Sequence, residues 1–356
     1  MLLTPTRLGR LTLRNRVVMA PMTRNRSPGN VPGPIVATYY AQRASAGLLI
    51  TEGIAPCADG LGYARIPGLF DAAQVAGWRA VTDAVHAAGG AIFAQLMHTG
   101  RATAEANLPP GARCVGPSAV ALTAPVWTDA SGNVAAATPH AMTEADIEAA
   151  IEGYAHSAAC AIEAGFDGVE LHGANGYLID QFLNTASNHR TDRWGGSVAN
   201  RARFAVAVAR RVAERIGADR VGMRVSPYGV FNDMRPDDEM DALYAHLAAE
   251  LSAIGLVYIH VVDHSAMGAP RPPDAVRAAI RAAFRGAYLL SGGYDRARAE
   301  ADLAAGLGEL VAFGRPFISN PDLVARFAAD LPLAQPDFAT FYTPGPQGYI
   351  DYPPAG

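Results

Sequence analysis

The sequence contains no lysine: all 29 of its basic residues are arginine. That absence removes whole classes of chemistry. Schiff-base catalysis, an internal aldimine with pyridoxal phosphate and a P-loop nucleotide site each need a lysine amine. Cysteine is scarce as well. Cys57, Cys114 and Cys160 are scattered with no CxxC pair, which argues against a disulfide framework or a zinc ribbon and points to a reducing cytoplasm. Cys160 lies in an Ala-rich helical pattern and is expected in the core. No HxH, HExxH or paired-carboxylate cluster stands where a metal would need one, and His98 reads as a lone loop hydrogen-bonder. A net charge of −4 with no basic tail argues against nucleic acid as the main partner. Met1–Arg16 has no long apolar run, and no later stretch reaches membrane-spanning length without a charge, Gly or Pro. Neither a signal peptide nor a membrane anchor is expected.

What is present is apolar and regularly spaced. Half of the 356 residues are hydrophobic and 17% are charged, enough to bury a large core. Thr6–Asn15 alternates around Gly9-Arg10 as a small β-hairpin would. Eight short branched or apolar runs follow: Arg16–Ala20, Leu48–Glu52, Ala91–Met97, Gly168–His172, Arg220–Ser226, Val257–Val262, Ala287–Ser291 and Leu310–Phe313. Helical patterns alternate with them, at about Ile35–Ala46, Ala73–Ala88, Glu144–Ala164, Val198–Ile216, Asp237–Ile254, Pro273–Phe284, Arg296–Ala305 and Pro321–Ala329. Thr143, Ser197, Asp295 and Asn320 are expected as N-caps, and several helices end at Gly. This alternation predicts an α/β fold, a (β/α)8 TIM barrel, with residues 1–356 as one domain. The competitor, a doubly wound sheet, usually shows a Gly-rich dinucleotide fingerprint after its first strand, and none follows Ala20. Between Met97 and Thr143 a Pro-, Gly- and Ala-rich stretch, with a turn at Asp129–Asn133, reads as an insertion between strand 3 and helix 3, over the barrel mouth.

In such a barrel, function sits at the C-terminal strand ends. Those ends carry Pro21 and Thr23, Gly53, Gln95 with Met97, Arg224, Ser291-Gly292-Gly293 and Gly314-Arg315. The last two suit a phosphate cradle: glycines let the backbone approach closely, and Arg315 can pair with phosphate oxygens. The fourth end, in DGVELHGANGYLIDQFL (Asp167–Leu183), is the richest. His172, Asn175 and Tyr177 are three hydrogen-bonding side chains within six residues, where a strand gives way to a Gly-bounded turn. Two can donate to one oxygen and the third can supply a phenolic proton. Taken singly, His172 reads more readily as a core histidine and Tyr177 as a packing aromatic; clustered between Gly173 and Gly176, they read as a site.

Seven stretches carry a resemblance: NRVVMAPMTR (Asn15–Arg24), YYAQRASAGLLITEG (Tyr39–Gly53), HGANGYLIDQFL (His172–Leu183), SNHRTDRWGGSVANRARF (Ser187–Phe204), VGMRVSP (Val221–Pro227), FGRPFISNPDL (Phe313–Leu323) and GYIDYP (Gly348–Pro353). With them, nearly the whole chain, Thr4 to Pro353, resembles the Old Yellow Enzyme family of FMN-dependent ene-reductases. The likeness is greatest to the bacterial branch of N-ethylmaleimide reductase and pentaerythritol tetranitrate reductase. The resemblance implies noncovalent FMN at the barrel mouth and NADPH or NADH as reductant. Thr23 would meet the flavin O4 edge, Pro21 and Gly53 would touch the flavin through their backbones, and Gln95 would bind its pyrimidine edge. Arg224 would meet the N1–O2 side and stabilise the charge gained on reduction. Gly293, Gly314 and Arg315 would hold the phosphate. For electrophilic alkenes, small molecules conjugated to a carbonyl, the resemblance makes His172 and Asn175 the carbonyl donors and Tyr177 the acid that protonates the α-carbon. Tyr63 and Tyr342 would line the substrate pocket.

Two departures from the family pattern stand out. Met97 replaces a frequent tryptophan, implying a roomier pocket, and His140 replaces a frequent arginine in a loop that can help bind the reduced coenzyme. Gln95 or Arg224 could also belong to a polar network in the barrel core. Other functional readings compete: a phosphate-binding isomerase barrel, a flavin store without turnover, and reduction of nitro compounds or nitrate esters at the same flavin. Apolar residues are too evenly spread to choose between monomer and homodimer.

Overall fold

The computed structural model describes residues 1–355. Eight strands form a closed barrel: β1 (Val17–Met19), β2 (Leu48–Ile54), β3 (Ile92–Leu96), β4 (Gly168–Gly173), β5 (Val221–Val225), β6 (Tyr258–Val262), β7 (Ala287–Ser291) and β8 (Leu310–Phe313). Every neighbouring pair is parallel, and β8 closes onto β1 through Ala312 opposite Val18. The principal helices are α1 (Pro34–Ala41), α2 (Ala72–Ala87), α3 (Glu144–Glu163), α4 (Val198–Ile216), α5 (Met240–Ile254), α6 (Asp274–Ala283), α7 (Arg296–Ala304) and α8 (Leu323–Ala329). Short helices at Leu178–Leu183 and Arg315–Ser319 follow β4 and β8.

The strands sort their side chains by the period-two rule. Val17, Met19, Leu49, Leu171, Met223 and Ile259 point outward into the layer shared with the helices. Val18, Leu48, Ile50, Phe93, Tyr258, Leu289 and Leu310 point inward and fill the lower barrel. Gly222 is required there, because a Cβ would lie 2.2 Å from the Tyr258 ring that crosses the interior. The hairpin, Thr6–Leu8 paired with Leu11–Leu13, brings Leu8 and Leu13 into the same cluster and so closes the bottom. Its turn needs Gly9, at φ +55°, where a Cβ would meet the Asp219 carbonyl at 2.6 Å.

The expected caps hold at three of four places. Thr143 forms a reciprocal capping box with Asp146, while Ser197 and Asp295 accept from the backbone of Asn200 and Arg298. Asn320 is not a cap. α8 begins only at Leu323, and the buried Asn320 amide instead bonds the Pro316 carbonyl and both backbone groups of Ala334. α1 is also shorter than its pattern suggested and stops at Ala41. The insertion between β3 and α3 carries a hairpin, Val126–Thr128 with Gly132–Val134, whose turn falls where Asp129–Asn133 was expected to turn. Among the described residues, no helix is long and apolar enough to cross a membrane.

Candidate active site

The C-terminal end of the barrel opens into a cavity of about 1650 Å3. Its floor is the upper interior of the barrel, where the inward-facing positions turn polar: Gln95 on β3, His172 on β4 and Arg224 on β5 all line it. Its walls are the loop after β1, the Tyr63–Arg65 turn, the insertion hairpin, the loops after β5 to β8, and the segment Leu333–Pro344. Of the residues singled out from sequence, Pro21, Thr23, Tyr63, Gln95, Met97, His172, Asn175, Tyr177, Arg224, Gly293, Gly314, Arg315 and Tyr342 all face this one space. Gly53 does not. It stands behind Met97, where a Cβ would fall 2.4 Å from the sulfur, so its smallness makes room for the Met97 side chain.

The β4 end is held in an unusual conformation by many bonds. Asn175 has φ +59°, a left-handed geometry that asparagine tolerates better than most residues. Its N–H donates to Ser226 Oγ at 3.0 Å, and its carbonyl accepts from Asn232 Nδ2 at 2.8 Å. Gly176 N–H donates to the buried Asp180 carboxyl at 2.8 Å, whose pKa burial pushes up to about 7. Gln181 Nε2 donates back to the Gly176 carbonyl at 2.8 Å. With the backbone fixed in this way, the side chains stay available. His172 Nδ1 and Asn175 Oδ1 are buried without a protein partner. The Tyr177 ring sits edge-on to His172, centroids 4.9 Å apart, and edge-on to Tyr63 at 5.9 Å.

Burial sets the protonation states. The Tyr177 phenol is pushed well above its ordinary value by loss of water and by the neighbouring Tyr63 phenol. His172 is pushed well below its ordinary value, first by burial and then by the positive charge of Arg224. The site thus holds a neutral imidazole and a protonated phenol at neutral pH.

Arg224 pairs in register with His172 on one side and His260 on the other. Its Nε is buried and unpartnered, and among the described residues no carboxylate forms an ion pair with its guanidinium. Gln95 does join a core network: Nε2 donates to Glu170 Oε1 at 2.8 Å, while also lining the cavity. Gln95 therefore belongs to the barrel-core polar network and also borders the cavity. Gly293, at φ +61°, and Gly314, which precedes the short helix opened by Arg315, both line the cavity just past the ends of β7 and β8.

Three features escaped the sequence reading. His264 lines the cavity after β6, 3% exposed, with Nδ1 unpartnered and its ring edge-on to Phe231 at 4.6 Å. Arg65 donates to the carbonyls of Asn25 and Tyr342 at 2.9 Å each, and pairs with Asp129, joining three walls of the mouth. Buried Arg24 and Arg26 hold the C-terminal segment from beneath. Arg24 donates to the carbonyls of Phe341 and Gly348, and Arg26 to those of Thr340, Gly345 and Gln347. Only His264 had a local signal, a polar residue just past a strand end; the arginine contacts span some 300 positions of sequence.

Known proteins are similar to this chain over nearly their whole length. Chanoclavine-I aldehyde reductase of Penicillium roqueforti is 45% identical over 363 residues, covering 99% of this chain and 95% of its own. A probable flavin mononucleotide-dependent alkene reductase of Leishmania infantum is 41% identical over 360 residues, covering 99% and 97%. The structure of morphinone reductase in complex with tetrahydroNAD superposes with a TM-score of 0.94 at 43% identity, covering 100% of this chain and 98% of that one. The family model for NADH:flavin oxidoreductases and NADH oxidases matches residues 1–334. The chain belongs to that family, and with it to the Old Yellow Enzyme group of flavin oxidoreductases.

Proposed function

We propose that the chain is an FMN-dependent ene-reductase that reduces the C=C bond of α,β-unsaturated carbonyl compounds at the expense of NADPH or NADH, acting as one cytoplasmic domain. The observation that carries this reading is the set of buried polar groups left without protein partners in one cavity. A buried guanidinium without an ion pair is expensive unless a ligand completes it. Arg224 is such a group, and it shares the cavity with unpartnered atoms of His172 and Asn175.

These residues fit FMN. Gln95 and Thr23 offer polar groups to a heterocycle edge, and Arg224 offers a fixed positive charge beside it. At the far wall, Gly293, Gly314 and Arg315 keep their backbone N–H groups free of protein acceptors, and the exposed Arg315 guanidinium stands beside them, as a phosphate requires. When bound, FMN supplies the hydride that it takes from the reduced nicotinamide. The chain's own residues handle the rest. His172 and Asn175 donate hydrogen bonds to the substrate carbonyl oxygen, favouring the enolate charge that develops as the β-carbon accepts hydride. Tyr177 holds its proton until the α-carbon takes it, and solvent then restores the phenol. Tyr63, Met97 and Tyr342 shape the space around the alkene. The slimmer thioether of Met97 leaves room for substrates broader than a tryptophan there would admit.

Nothing in this chemistry calls for nucleic acid or a membrane. The test is release of flavin from the purified protein by heat, together with product analysis. The expected result is one FMN per chain and a saturated ketone formed from cyclohexenone. A protein that binds no FMN contradicts the proposal.

A further inference from the structure

The cavity floor rests on a charged group that touches no ligand. Glu170 lies on β4 two residues before His172, on the same inward face, and is completely buried. It accepts three hydrogen bonds: from Gln95 Nε2 at 2.8 Å, Tyr258 Oη at 3.0 Å and His260 Nδ1 at 2.8 Å. A carboxylate only accepts, so each of those partners is fixed as a donor. His260 must carry its proton on Nδ1. Gln95 must turn its NH2 group down toward Glu170, which leaves Oε1, an acceptor, facing the cavity. Without Glu170 the amide of Gln95 would be free to present either end.

Glu170 has a second effect. Glu170 stands opposite Gly222 on β5, two residues before Arg224 and on the same inward face, and its field acts on Arg224 although the two form no direct ion pair. Two charges in the barrel interior, one on the floor and one below it, balance at a distance. A ligand lying on the floor therefore meets Arg224 with its positive charge partly offset.

We infer that Glu170 is a positioning residue for the flavin: it turns the Gln95 carbonyl toward an N–H donor on the ligand ring, and it sets how strongly Arg224 favours negative charge on that ring. The inference rests on the flavin reading above and adds a function for a residue that lies outside the cavity. Its two consequences are separable. Loss of the Gln95 orientation weakens binding, whereas loss of the charge moves the reduction potential.

The experiment measures the FMN dissociation constant and the midpoint potential of bound FMN for four folded proteins: wild type, Glu170→Gln, Gln95→Leu and the double variant. Glu170→Gln keeps the shape but removes the charge and lets residue 170 donate as well as accept. The expected result is binding weaker by about tenfold or more, the scale of a hydrogen bond to a charged group, with a higher midpoint potential because Arg224 is no longer offset. Gln95→Leu should weaken binding strongly in wild type and little in the Glu170→Gln background, since the orientation is already lost there. If Glu170→Gln does not fold, Glu170→Asp is read instead. It keeps the charge but draws the carboxylate back from Gln95 by one methylene, and should weaken FMN binding severalfold while leaving the potential near wild type. A folded Glu170→Gln protein with unchanged affinity and potential overturns the inference, as does unchanged affinity in Glu170→Asp. A wild-type protein that takes up no FMN overturns the flavin reading as well, which separates the two failures.

Discussion

Replacing Tyr177 by phenylalanine removes one oxygen and leaves the packing in place. The ring still lies edge-on to His172 at 4.9 Å and to Tyr63 at 5.9 Å, so the fold should lose no more than about 1 kcal/mol. The chemical loss is larger. A positioned general acid contributes roughly 10²–10⁴-fold, and the buried phenol is held protonated far above neutral pH by desolvation and by Tyr63. The two half-reactions separate the effect in anaerobic stopped-flow. Reduction by NADPH needs no proton from the phenol and should be unchanged, whereas reoxidation by cyclohexenone should slow by at least about 10²-fold. The pH profile supplies a second reading. Because the phenol's pKa is raised, its proton is present throughout the neutral range, so the limb that depends on it lies on the alkaline side, above the ordinary tyrosine value. Reoxidation within about threefold of wild type would refute the assignment and turn attention to Tyr63 or water as the proton source.

Three further perturbations follow from the geometry. Asn175→Ala should lower both stability and enone turnover, because the left-handed backbone that asparagine tolerates costs other residues bearing a Cβ about 1–2 kcal/mol. Asn175→Gly should recover the melting temperature but not the turnover; equal melting of the two variants would refute the strain argument. Arg65→Ala unfastens the loop after β1, the insertion hairpin and the C-terminal segment at once. It should raise KM for enones severalfold while changing kcat little, and unchanged KM would count against the clasp. Met97→Trp should favour cyclohexenone over bulky enones, as judged by relative kcat/KM, and unchanged ratios would show that Met97 does not limit the pocket.

The barrel was legible because its signals are local. Each strand is a short apolar run stopped by Gly, Pro or a polar residue, and three helices open on caps readable in the sequence, Thr143, Ser197 and Asp295. The ends of those runs led directly to Gln95, His172, Arg224, Gly293 and Gly314, all of which line the cavity. Asn320 misled because a good capping residue was recruited by a segment fourteen positions away, at Ala334. Gly53 shows that a glycine at a strand end looks the same in sequence whether it makes room for a ligand or for a neighbouring side chain, here Met97. Glu170 did leave a trace: an acidic residue at the same strand parity as His172, in an otherwise apolar run. The arginines that fasten the walls left none. Arg24, Arg26 and Arg65 read as ordinary loop arginines until the fold brings the C-terminal segment against them.

The most direct test of the account is the visible spectrum of the purified protein, followed through one anaerobic cycle. It should be yellow, bleach when NADPH is added and regain its colour when cyclohexenone follows. A protein that stays colourless after incubation with FMN, or one that bleaches with NADPH and stays bleached with enone, would contradict it.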